Sequence, residues 1–200
     1  MAALTPKTLM QYCSSPLEQR VAYLHLALEE RNAGPTETFF IDALRAEQHP
    51  LPKWYLIKAV GLQKDPAAIA LLLAIGKSPD VDLSETSLHR IAAWSLGQIG
   101  SESFHAIARA FDDASTDIER VFLVDALGEI RQPIALPLLV RAFVEGSDQV
   151  KLWAALSLSK SGISALGTLR ELLKNTQSRR DKLLLEDALT KITNQSLAKF

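Results

Sequence analysis

Apolar residues return along this chain in a fixed register. The segments around Leu96, Leu127, Leu158 and Leu189 align at steps of 31 residues. The residue before each anchor is small: Ser95, Ala126, Ser157 and Ala188. Five before it stands a large apolar residue: Ile91, Phe122, Trp153 and Leu184. Seven before it the residue is basic or can be: His89, Arg120, Lys151 and Lys182. Four columns keeping one step identify an internal repeat. The first helix of each unit is apolar around much of its circumference, where a lone amphipathic helix would show one stripe. Such a helix is clamped between its own partner and its neighbours, so stacking of units completes the core.

An earlier copy is displaced. Gly61 in Lys58-Ala59-Val60-Gly61 plays the part of Gly97 at an offset of 36, which places a longer loop in the polar stretch Lys77 to Asp82. A weaker copy falls in Val21 to Glu30. Start signals divide each period into two helices. Thr116-x-x-Glu119 is a capping box that opens a helix near 117, running to about 130. Pro133 begins its partner, which runs to about 145, and Asp65-Pro66 opens a second helix in the same way. Ser15-Pro16-Leu17-Glu18 starts a helix over 16–31, and Ser178-x-x-Asp181 opens the last long one.

Composition agrees with helices. Leu is 33 and Ala 26 of 200 residues, and both are strong helix formers. No Asn-Gly or Asp-Gly hairpin signal occurs. Twenty-two basic against 23 acidic residues, a formal charge of -1, disfavours a dedicated nucleic-acid binder. The one cysteine, Cys13, excludes an internal disulfide and a Cys-x-x-Cys site, and is expected as a semi-buried free thiol. The first ten residues lack the basic and apolar blocks of a secretory signal. The longest apolar run, Ala67 to Ile75, is about half of a bilayer span. A soluble, cytoplasmic protein is expected.

The residues Glu119 to Ile130 and, more closely, Ala92 to Gly100 resemble the HEAT-repeat pattern, in the short HEAT-like version found in phycobilisome (bilin) lyases. The family pattern is an acidic loop, Arg near the start of the first helix, a run of Ala, then Ala-Leu-Gly-x-Ile-Gly, and Ala92 to Gly100 keeps both glycines, Gly97 and Gly100. The resemblance covers roughly residues 55 to 192. His89 and Ser159 depart from it, standing where Arg and Gly are wanted. It implies an all-α, right-handed α-solenoid of about five HEAT-like helical hairpins plus terminal caps. The whole chain is then one domain. Residues 1–50 supply degenerate N-terminal helices or a cap, 51–177 the paired repeats and 178–200 a C-terminal cap.

Candidate chemistry is sparse. The basic column reads either as a ladder for an acidic partner or as a set of pairs between Arg120, Lys151 and Lys182 and the loop acids Asp113, Asp117, Asp148 and Asp181. Arg109, Arg141 and Arg170 recur on the second helices. The resemblance implies that those helices line the concave face, which makes the three arginines candidates for binding a partner. Trp94 shares its column with Asp125, Leu156 and Asp187. A position that twice holds Asp is not expected in deep core, so Trp94 is a candidate exposed anchor. Trp153, in the apolar column, is expected in the core. The four histidines show no metal spacing. No phosphate loop, dinucleotide fingerprint or nucleophile elbow occurs.

The expected function is a scaffold or adaptor that holds another protein in its concave groove, without cofactor, catalytic residues, nucleic acid or membrane. The resemblance also implies a second reading, a subunit of a bilin lyase or a phycobiliprotein chromophore-handling factor. A third, a HEAT-like nucleic-acid enzyme of the alkylpurine glycosylase kind, would need a basic groove with an Asp and aromatics pointing in.

Overall fold

The computed structural model describes residues 11–29, 39–78 and 87–197, and among these it is helical, with no strand. A short helical turn over 11–14 precedes α1 (Leu17–Glu29), α2 (Phe39–Ala46) and α3 (Pro50–Gln63). Then follow α4 (Ile69–Gly76), α5 (Leu88–Ile99), α6 (Ser101–Asp113), α7 (Asp117–Ile130), α8 (Leu136–Glu145), α9 (Asp148–Lys160), α10 (Leu166–Asn175) and α11 (Arg179–Leu197). Residues 79–86, most of the expected longer loop, and 30–31 of the expected first helix lie outside the described residues.

The starts form where their chemistry puts them. Thr116 accepts from the Glu119 amide while the Glu119 carboxylate accepts from the Thr116 amide, a complete capping box. The Ser115 and Thr116 amides hold the Glu119 carboxyl below its ordinary pKa, outweighing the opposing effect of burial. Ser178 caps α11 through the Asp181 amide at 3.2 Å. Asp65 Oδ1 accepts from Ala67 N at 2.9 Å. Pro66 and Pro133 each open a 3-10 turn that leads into α4 and α8 rather than the α-helix itself.

The odd-numbered helices α1, α3, α5, α7, α9 and α11 stack in one layer. The second helices α4, α6, α8 and α10 pack on them from behind. With α1 and α2 as a degenerate fifth pair, the expected solenoid is present. Its two layers are unequally spaced. From α3 to α9 consecutive first helices pack along their lengths, whereas consecutive second helices scarcely touch. Small residues make the tight layer. A β-carbon on Gly61 would fall 2.5 Å from Ser95 Oγ, and one on Gly128 would fall 2.6 Å from Ser157 Cβ. Where Ser159 replaces the glycine, the next step, α9 to α11, is looser.

Unequal spacing bends a stack toward its tighter layer. The first helices therefore line the inside of the curve, and the second helices fan out on its outside. This corrects the expectation that the second helices line the concave face. The physical reason is side-chain size, since Gly, Ala and Ser between the first helices let their backbones approach.

The N-terminal pair is tied down by a buried carboxylate. Glu47 is 3% exposed. It accepts from Tyr12 Oη at 3.2 Å, from Arg20 Nη1 at 2.5 and 2.6 Å, and from the Gln48 and His49 amides at 3.0 and 2.9 Å. Burial pushes its pKa up, but the His49 amide and the Arg20 guanidinium together hold it below the ordinary value. Burial beside the Tyr12 and Phe39 rings pushes Tyr23 up to about 12. Cys13 on the preceding turn is exposed rather than semi-buried, because that turn buries Tyr12 instead. No described helix is long and apolar enough to cross a membrane.

Candidate partner-binding face

Residues four apart on a helix lie above one another, and the 31-residue step brings such rows into line. On the inner layer α5 carries Arg90, Trp94 and Gln98, and α7 carries Val121, Asp125 and Glu129. On α9 the row is Leu152, Leu156 and Lys160, and on α11 it is Leu183, Asp187 and Lys191.

Charged bonds cross the rows. Arg90 Nη1 donates to Asp125 Oδ2 at 2.6 Å. Lys160 Nζ donates to the other oxygen, Asp125 Oδ1, at 2.6 Å and to Glu129 Oε1 at 2.7 Å. Asp187 and Lys191 pair along α11 at 2.7 Å. The Arg90 guanidinium also lies over the Trp153 ring, 5.2 Å from its centroid, within the range of a cation–π contact.

The α7 row is the floor of this face. Val121 is 1% and Asp125 3% exposed. Arg90 from α5 and Lys160 from α9 cover Asp125. The flanking apolar residues rise into solvent, with Leu152 40% and Leu183 59% exposed. A sunken row between raised ones is a groove. Acids and cations sit at different depths in it. The Asp125 and Glu129 side chains are 4% and 9% exposed, against 26% for Arg90 and 22% for Lys160.

The expected site residues fall on both layers. Trp94 is half-buried and packs against the core rather than standing free. The premise that placed it outside fails at Asp125, which is buried because two cations compensate its charge. Trp153 is half-buried instead of core, its ring covered by Arg90. Arg109, Arg141 and Arg170 lie on the second helices, outside the curve. Arg141 pairs with Asp112 and lies 5.3 Å over the Phe111 ring, joining α8 to α6. Arg109 and Arg170 are exposed.

The basic column divides. Lys151 Nζ meets Asp181 Oδ2 at 2.8 Å between units, one of the expected pairs. Arg120 donates to the Ala114 carbonyl at 3.3 Å instead of an acid. Asp148 pairs with Arg180, and His89 is buried edge-on to Phe122. The Arg90, Asp125, Glu129 and Lys160 cluster is not visible in the columns. Its signal is the pairing of Asp125 in one unit with Lys160 in the next, 35 residues apart, which a 31-residue column does not display.

A second hollow of about 970 Å³ lies at the edge of the stack, walled by Trp54, Tyr55, Leu71, Ile75 and Leu88. The equivalent place one unit on encloses about 170 Å³. The larger hollow sits at the junction where the repeat steps 36 residues instead of 31. Among the described residues no group of three His, Cys, Asp or Glu is placed to hold a metal ion.

Residues 88–113, which are α5 and α6, match the family model described as PBS lyase HEAT-like repeat. No curated protein matches the chain. The structure is similar to that of human deoxyhypusine hydroxylase in complex with glycerol, with a TM-score of 0.44 and 15% identity over 95% of this chain and 86% of that one.

Proposed function

We propose that this HEAT-like repeat protein is a scaffold that holds another protein against one face of its stacked helices. One observation carries the reading: successive rigid helices present aligned rows in which Trp94, Leu152 and Leu183 alternate with Arg90, Lys160 and Lys191. Aromatic, apolar and arginine side chains on rigid elements are what protein interfaces use. Such a surface needs no cofactor. The test is capture from source-cell lysate on tagged full-length protein, with cross-linking to locate the contact. A stoichiometric partner cross-linked to either layer supports the scaffold. Capture of nothing, with native folding verified by circular dichroism, overturns it.

Charge reversal at Arg109 and Arg170 separates the two faces. Both are exposed, so the fold tolerates the change. Lost capture assigns the partner to the outer layer, which carries the three candidate arginines.

A nucleic-acid enzyme would need an Asp open to a basic groove, whereas Asp125 is 3% exposed beneath Arg90 and Lys160. It predicts DNA binding that falls steeply with salt. The lyase reading has the family description of residues 88–113 in its support. It predicts a coloured eluate with visible tetrapyrrole absorbance.

A further inference from the structure

We infer that the inner groove over α5, α7, α9 and α11 docks an acidic peptide segment carrying apolar side chains, supplied by the scaffold's protein partner. The inference rests on the scaffold reading and names the face and the chemistry of what it holds.

Charge and depth decide the sign of the partner. Formally the groove is close to balanced, with Arg90, Lys160 and Lys191 against Asp125, Glu129 and Asp187. The acids of the floor are covered, however, while the cations that cover them reach solvent. Arg131, at the C-terminal end of α7, adds an exposed guanidinium, 63% exposed, beside Glu129 at 3.4 Å. Asp187 is the exposed acid of the four rows, and Lys191 compensates it. What a partner meets at the centre is therefore cationic. Arg90 and Lys160 have donors left after binding Asp125, because a guanidinium carries five N–H groups and an ammonium three. A partner carboxylate can share them without breaking the existing pairs.

The apolar wall decides between a peptide and a nucleic acid. Leu152, Leu156 and Leu183 form a continuous exposed or half-exposed strip on α9 and α11. A phosphate backbone leaves such a strip unused. A segment with leucine or phenylalanine between acids fills the strip and reaches Arg90 and Lys160 together. Helix axes ~8–10 Å apart put α5 and α9 roughly 20 Å apart across α7. An extended peptide of about six residues spans that distance.

The probe is an octapeptide with blocked ends, four glutamates interleaved with two leucines and two phenylalanines. It is titrated into the full chain and followed by tryptophan emission and by the indole amide signals of Trp94 and Trp153. Saturable binding is expected, at least tenfold weaker when glutamine replaces glutamate and weaker again at high salt. Leu152→Glu and Leu183→Glu, both at exposed positions, are each expected to weaken it tenfold or more while thermal unfolding stays unchanged. Equal binding of the glutamine peptide overturns the inference, as does tighter binding of a lysine version. Unchanged affinity in both leucine variants overturns it too. So does a duplex oligonucleotide that binds more tightly and displaces the peptide. If a lysate partner is still captured when the octapeptide fails to bind and both leucine variants capture it normally, the groove assignment falls and the scaffold stands. If no partner is captured at all, the scaffold itself falls.

Discussion

A β-carbon on Gly97 would lie 2.2 Å from the β-carbon of Glu129 and 2.7 Å from its carbonyl oxygen. The two helices therefore approach closely only because position 97 has no side chain. Gly97→Ala forces α5 and α7 apart in the middle of the tight layer. Overpacking of this kind costs ~1–3 kcal/mol, and urea unfolding should show that loss. A β-carbon on Gly167, on α10, would meet nothing within 4 Å. Gly167→Ala should raise stability by ~0.5–1 kcal/mol through helix propensity.

Asp125 compensates two cations at once. Asp125→Ala leaves Arg90 and Lys160 facing each other over a void. A fully buried pair broken on one side loses ~3–5 kcal/mol. Here both cations reach water, so the expected loss is about 2–3 kcal/mol by the same reasoning. Asp125→Leu copies Leu156 of the same column and should cost less. Chemical denaturation of the two variants checks the order.

Glu47 ties stability to acid. Its folded pKa lies below the ordinary glutamate value, so it binds a proton more readily when unfolded. Its contribution is present above the unfolded pKa and is lost as pH falls through the folded one. Stability should therefore drop below the ordinary glutamate range. Glu47→Gln should flatten that drop and lower stability at neutral pH. Melting curves from pH 7 to pH 3 on both proteins read it.

Arg141 joins α8 to α6 through Asp112 and the Phe111 ring. Arg141→Ala should cost roughly 0.5–1 kcal/mol, the scale of an exposed ion pair with a cation–π contact. Arg170→Ala should stay within ~0.5 kcal/mol of the parent, as substitutions at plain surface positions do. A loss at Arg141 without a change in partner capture would give that residue a structural role.

Much of the fold is legible because its signals are local. Leu96, Leu127 and Leu158 are fully buried, as the anchor column requires. The capping box at Thr116 and Glu119 acts through residues three apart. The candidate site is less legible. The column of Trp94 holds Asp twice, and the rule that a carboxylate stays in water places that column outside. Asp125 breaks the rule because Arg90 and Lys160 compensate its charge, and neither stands in its column. Trp153 shares a column with buried Ile91 and Phe122 but is itself half-exposed beneath Arg90.

The repeat, the helix starts and the small residues that allow close packing were determined by the sequence alone, since each depends on neighbours within a turn or on a constant step. Tertiary structure decided which layer lies inside the curve and which charges are covered. Curvature arises from the difference in spacing between two layers, and no single unit contains it. The burial of Asp125 depends on side chains from the units before and after its own. Both features exist only once the units are stacked.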